Sequence, residues 1–293
     1  MSTNTSLRRR LTEWLTAYVF LSPWLFVFIL FVLFSTGWAF YLSFTKYNLF
    51  SPPEWVGFYQ YAKVLQDKDF IEHALPNTLR YVVGVVPIQT VISLVLAFAM
   101  DQKIKLRRFF RTAFYVPSVT STVVISLVFI WLFSKTGVIN QIFHLEIDWL
   151  NDPACALQTI MMVNIWSTIG TMMFIFLAAL QDIPMARYEA AEIDGANRFQ
   201  ILLYITIPAL RPAIFFVVTM GVIGCFNVFD QIYVMTSGGP LGATTTMAYL
   251  VFKWAFQSTN IRMGRSSALA FILALMILVV VLIQRRFIEE PES

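Results

Sequence analysis

The apolar and polar positions of this chain fall into long blocks. They do not form the alternations or 3.6-residue stripes of a water-facing fold. Six apolar runs stand out, at about 18–44, 79–100, 113–133, 156–180, 213–235 and 266–284. Each is close to or above the roughly 20 residues that a helix needs to cross a hydrocarbon core. Backbone polar groups in lipid must pair within their own segment, so the runs are expected to be helices. Pro87 and Pro117 fall inside two of them and should kink or start those helices, freeing carbonyls that need other partners. One polar stretch interrupts the pattern, "YEAAEIDGANRFQILLYITIPALRP" from Tyr188 to Pro212, with three acidic residues, two arginines and an Asp-Gly turn signal.

Composition sharpens the picture. Of 293 residues 58% are hydrophobic and only 13% charged, about half the roughly 25% charged of a soluble domain. Mean hydropathy is +0.69. The first run is too long for the apolar region of a signal peptide and has no A-x-A cleavage site, so it reads as a span. Cys155 and Cys225 are too few for a disulfide framework. His73 and His144 lie far apart in expected loops, so neither a metal site nor a cofactor is expected.

The sequence pI is about 9.1, yet the basic residues make no single patch of the kind that binds nucleic acid. They gather at the ends of the apolar runs, which is the pattern of membrane topology. Six spans put both termini on one side. The bias is clearest in "RRR" before the first run, "DQKIKLRRFFR" after the second and "QRRF" after the sixth. It places the N- and C-termini in the cytoplasm. The expected organisation is a cytoplasmic tail at 1–17, a first span at 18–44, a periplasmic loop at 45–78, a five-helix core at 79–284 with a cytoplasmic loop at 181–212, and a cytoplasmic tail at 285–293.

Several chemistries have no residues to carry them. There is no G-x-x-x-x-G-K-[ST] for ATP phosphates, no H-E-x-x-H and no nucleophile elbow, so no enzyme activity is expected. "SGGPLGATT" is glycine-rich but lacks the lysine and reads as a loop. Asp230 is the one acidic residue well inside an apolar run, and proton-coupled carriers need intramembrane carboxylates or histidines. Asp230 has two readings, an intramembrane group or a residue near the outer end of its helix that reaches water.

The polar stretch reads as a helical hairpin. Asp182 can cap a helix with Pro184 in its first turn, and Asp194-Gly195 should end it, since glycine accepts the left-handed conformation of a C-terminal cap. A second helix is expected from about Ala196 to Pro208. Glu189 and Glu192 share a face beside the small Ala190 and Ala191. Such a helix suits a groove on a basic partner, and an ordinary cytoplasmic loop is the other reading.

The residues Glu189-Ala190-Ala191, Asp194-Gly195-Ala196 and Pro208 resemble the EAA signature of bacterial ABC importer permeases. "WVGFYQYAKVLQDKDFIEHALPNTLRYVV", "RRFFRTAFYVPSVTSTVVISLVFIWLF" and "FDQIYVMTSGGPLGATTTMAYLVFKWAF" extend the resemblance over nearly the whole chain. They are similar to the carbohydrate-uptake permeases of the maltose and glycerol-3-phosphate type. The resemblance implies an all-α polytopic protein with six transmembrane helices, a first helix outside a five-helix type I importer core, in the inner membrane. It implies a related sister permease, two ATP-binding subunits that each take one EAA helix, and a periplasmic or lipid-anchored substrate-binding protein. Glu189, Ala190, Ala191, Glu192, Asp194 and Gly195 would then dock an ATPase subunit. A stand-alone secondary carrier or channel for a small neutral solute is the alternative.

A solute path through such a chain needs neutral hydrogen-bonding groups. In "NIWSTIGTMM", Asn164, Ser167, Thr168 and Thr171 lie at i, i+3, i+4 and i+7 on one stripe. Gly224, Asn227 and Gln231 form part of another in the fifth run. Both stripes also fit helix–helix packing, in which small polar residues hydrogen-bond across the interface. By resemblance Asn164 matches an asparagine that contacts sugar in maltose-type permeases, and Thr168 stands where the maltose subunit has glycine. Gln89 and the run Ser118, Thr120, Ser121, Thr122 are further candidates.

Overall fold

A computed structural model describes residues 3–102, 104–257 and 261–288, and the side chains from Trp14 to Arg286 within them. Lys103 and residues 289–293 of the expected C-terminal tail lie outside the described residues. The chain opens with helix α1, residues 3–43, whose middle turns over Phe28–Phe34 have the wider π-type hydrogen bonding. No side chain between Trp14 and Tyr41 is fully buried. Among its described side chains, those buried lie at the end of α1, where Leu42 and Ser43 are buried and Phe40 packs edge-on against Phe271.

A two-strand ribbon follows, β1 (Thr45–Lys46) paired antiparallel with β2 (Glu54–Trp55), then a short helix α2 (Tyr59–Leu65). Helix α3 (Asp69–Asp101) is the long inner member of the bundle. Pro87 lies inside it without breaking it. The third apolar run is α4 (Arg107–Val119) and α5 (Thr122–Leu132), bent by 100° at Thr120-Ser121. Pro117 sits one turn before that bend and signals it. A short helix α6 (Val138–Phe143) precedes α7 (Ala156–Gln181).

The polar stretch is a hairpin of α8 (Met185–Ile193) and α9 (Arg198–Ala209). Asp182 does not cap α8, whose first turn follows Pro184. Helix α9 starts at Arg198 and not at Ala196, because Asn197 caps it. The Asn197 side chain accepts from the Gln200 N–H, and the Gln200 side chain accepts from the Asn197 N–H. Nor does Pro208 end α9. The turns over Leu202–Thr206 widen to π-type just before it, which relieves the clash of its ring with the preceding turn.

The chain bends by 63° into α10 (Arg211–Phe226). The fifth apolar run is not one helix: α10 ends at Phe226 and α11 (Asp230–Met235) begins after three residues. Helix α12, residues 247–257, and the long α13 (Met263–Ile288) complete the chain. Among the described residues four helices are long and apolar enough to cross a membrane, or up to six if each bent pair counts as one.

Two hydrophobic clusters hold the bundle. One joins Tyr81, Val85, Ile160, Phe226, Ile232, Met247, Leu250 and Leu269. The other, nearer the hairpin, joins Ala97, Met173, Phe176, Leu210 and Val217. At the end opposite the hairpin, loop 236–246 is fixed by side chains. Asn77 donates to the carbonyls of Gly242 and Thr245 (2.9 and 3.1 Å), and the Thr78 hydroxyl accepts from the Met247 N–H (2.9 Å). Lys253–Asp69 (3.2 Å) and Arg265–Asp67 (3.4 Å) tie the same end together.

Candidate functional site

The two hydrophobic clusters do not merge, because a polar seam crosses the bundle between them. On α3 the seam holds Gln89, Thr90 and Ser93, and on α7 it holds Asn164, Ser167 and Thr168. Asn164 Nδ2 donates to Gln231 Oε1 (3.0 Å), and the Tyr81 hydroxyl donates to the same oxygen (3.0 Å). Thr168 Oγ1 lies 3.0 Å from Gln89 Oε1 and 2.8 Å from the Asn164 carbonyl. Gln89 and Gln231 are almost fully buried, while Asn164 and Thr168 are partly open. Buried amides from α3 and α11 therefore orient two side chains that also face outward.

Gln89 Nε2 has no hydrogen-bond partner among the described residues and lies against Gly221, where a Cβ would collide with it. An unpaired buried amide is costly, so the absent side chain at 221 is the reason this amide can be housed.

The stripe on α7 is divided. Ser167 is buried and donates to the carbonyl of Asn164 (2.9 Å). Thr171 is exposed one turn further on. Gly224 on α10 and Asn227 just after it are exposed, and Asn227 Nδ2 bonds back to the Ile223 carbonyl (2.9 Å). Gln231 turns inward to Asn164, so the structure joins the α7 stripe to α11 through that one contact.

Both helix breaks leave polar groups exposed. Thr120 and Ser121 are exposed at the α4–α5 bend, and Asn227 and Asp230 at the α10–α11 gap. Non-helical backbone at membrane depth is tolerated only against protein or a water-filled cavity. The α4 segment is held to α7 at this level, where the Thr171 N–H donates to Ser118 Oγ (3.2 Å).

The hairpin has a different character. Gly195 has φ +77°, a conformation that costs an L side chain about 1–2 kcal/mol. The Gly195 N–H reaches the Glu192 carbonyl (3.1 Å) and the Ala196 N–H reaches the Ala191 carbonyl (2.9 Å). This double closure is the Schellman motif, which consumes the free carbonyls of α8 and aims it. Ala191 is buried, whereas Glu189, Ala190, Glu192, Asp194 and Gly195 are exposed. None of those three carboxylates forms an ion pair among the described residues. Ile193 is 86% exposed, Tyr204 77% and Met185 69%, so large apolar groups surround the acidic ones without cover.

Sequence reasoning missed Tyr81 and the cap at Asn197. Tyr81 lies in an apolar run with nothing to mark it. Asn197, three residues before Gln200, is readable as a capping box.

Broken helices around a polar seam, with an exposed hairpin on one end, define a helical membrane permease. The fold matches a chain from the crystal structure of a bacterial ABC transporter involved in the import of the acidic polysaccharide alginate, with TM-score 0.85 and 22% identity over 98% of this chain and 100% of that one. The chain belongs to the family described as the binding-protein-dependent transport system inner membrane component, whose model matches residues 89–289. It is 34% identical over 277 residues to the probable ABC transporter permease protein YesP of Bacillus subtilis, covering 92% of this chain and 89% of that one. It is 35% identical over 276 residues to the arabinooligosaccharides transport system permease protein AraP of Halalkalibacterium halodurans, covering 91% and 85%.

Proposed function

We propose that this chain is one transmembrane half of an ATP-driven importer for a sugar or sugar-derived solute. One observation carries the reading. The chain has an exposed, precisely capped acidic hairpin and no nucleotide-binding motif of its own. A lever without an engine implies a partner that hydrolyses ATP. The partners are a related sister permease, two ATP-binding subunits and a soluble or lipid-anchored binding protein. The hairpin faces the cytoplasm together with both termini, and loop 236–246 faces outward. Closure of the ATPase dimer moves the hairpins together, and the core alternates between inward- and outward-facing states as a rigid body.

The solute passes the polar seam. Asn164 and Thr168 present hydrogen-bonding groups to it, held by Gln231 and Gln89. Thr171, Gly224 and Asn227 extend the path along the exposed faces of α7 and α10.

The test is ATP-dependent uptake by the reconstituted complex with Asn164→Leu. The variant should assemble normally and lose uptake about tenfold or more, because a solute hydroxyl is left unpaired at roughly 1–3 kcal/mol. Uptake at the wild-type level would mean that the seam only packs helices. Cysteine placed at position 190 should react from the cytoplasmic face alone. Labelling there from outside would overturn both the orientation and the lever.

A further inference from the structure

At the end opposite the hairpin, α3 and α7 part to leave a cleft of about 410 Å³. Its floor and walls include Leu157, Met161 and Leu241, and two charged side chains, Glu72 and Arg80, line it. Neither Glu72 nor Arg80 has an ion pair or hydrogen bond among the described residues. Arg80 is exposed, so its charge is met by something outside the described residues.

Depth says what that is. From Arg80 to Asp101 the helix rises about 31 Å at 1.5 Å per residue. Asp101 marks the polar boundary at the hairpin end, where it faces Arg107 (3.7 Å) and Gln181 (3.4 Å). A hydrocarbon core is about 30 Å thick, so Arg80 stands at the level of the opposite headgroups. Below Arg80 the exposed side of α3 is apolar through Val83, Ile88, Val91 and Val95. That stripe suits acyl chains, unlike the faces that carry Thr120, Thr171 and Asn227.

Glu72 lies two turns further out, about 12 Å along the axis, and Arg80 extends toward it because helix side chains lean to the N-terminal end. The cation is therefore deep and the anion shallow. A zwitterionic phospholipid has the matching order, with its phosphate at the glycerol and its ammonium outside it.

We propose that this cleft binds the headgroup of a zwitterionic, amine-bearing phospholipid in the leaflet opposite the hairpin, with the phosphate on Arg80 and the ammonium on Glu72. The site requires only that the chain sits in a membrane, so it stands apart from the ATP-driven reading.

Native mass spectrometry of the detergent-purified transporter complex, titrated with phosphatidylethanolamine and phosphatidylglycerol, tests the proposal. Wild type should hold phosphatidylethanolamine about tenfold more tightly than Arg80→Ala, the loss expected for one charged hydrogen bond. Glu72→Gln should keep phospholipid but lose the preference for phosphatidylethanolamine over phosphatidylglycerol. Neither side chain has a partner among the described residues, so both variants should melt like wild type. Equal lipid retention by wild type and Arg80→Ala would overturn the proposal. Displacement of the lipid by excess inorganic phosphate would also overturn it, making the cleft a site for free anions. A loss of affinity for the substrate-binding protein in Arg80→Ala with lipid retention unchanged would instead make it a docking surface, and would equally sink it.

Discussion

Gly170→Leu should abolish assembly of the bundle, and Gly170→Ala should destabilise it by about 1–3 kcal/mol, the range for forcing atoms into a packed core. At Gly170 the backbone of α4 lies directly on α7. A Cβ there would strike the Phe114 carbonyl and come within 2.9 Å of Ser118 Oγ. A carbonyl oxygen belongs to the helix and cannot rotate away, so α4 must lift off. The same movement breaks the bond from the Thr171 N–H to Ser118 Oγ and disturbs the edge-on contact of Tyr115 with Phe174 (5.1 Å between centroids). The α4–α5 bend would lose its seat beside the seam. Gly37→Ala is the control. A Cβ at 37 meets nothing within 4 Å, and alanine in a helix is worth up to about 1 kcal/mol over glycine. Thermal unfolding followed by size-exclusion chromatography separates the two outcomes. Gly170→Ala melting with wild type would mean that α4 and α7 are not held at this contact.

Glu189→Lys should leave the bundle inserted and folded while transport stops. Glu189 is exposed and has no ion pair among the described residues, so its loss costs the fold at most about 0.5 kcal/mol. In a partner's groove the same change removes one half of a charge pair and leaves the other unpaired, at roughly 2–5 kcal/mol. Gly195→Val attacks the same lever from the backbone. Valine at φ +77° is strained in any surroundings, so the Schellman closure opens and α8 points elsewhere. In both variants the ATPase subunits should bind weakly or hydrolyse ATP without moving solute. Wild-type uptake by both would remove the coupling role and favour a stand-alone carrier.

Much of the architecture was readable because a bilayer is an undemanding reader. It asks only for enough consecutive apolar residues, and the runs at 18–44, 79–100, 156–180 and 266–284 each coincide with a long helix. The turn at Gly195 was readable too, because only glycine adopts that conformation without strain. Where local chemistry has two solutions, the sequence was silent or misleading. Pro87 and Pro117 look alike on paper. One lies in an unbroken helix, whereas the other precedes a bend of 100°. The difference lies in what packs around each, and a proline carries no record of its neighbours. The gap at Asn227–Phe229 was invisible because one asparagine followed by Val228 and Phe229 does not interrupt an apolar run.

The candidate path shows the same division. The stripe from Asn164 to Thr171 was visible as spacing, since 3.6-residue periodicity depends on one helix alone. Its partners were not. Tyr81, Gln89 and Gln231 come from other helices, and only packing decides that two donors share Gln231 Oε1 or that Gln89 rests on Gly221. Likewise nothing beside Asn77 and Thr78 in the sequence shows that they hold a segment more than 160 residues away. The sequence by itself determined where the long apolar helices run and where the hairpin turns, because these follow from one segment meeting one solvent. The tertiary structure alone decided which helices break, which polar groups face each other and which face outward. Those outcomes depend on contacts between distant segments, where a side chain's role is set by its neighbour and not by its own place in the chain.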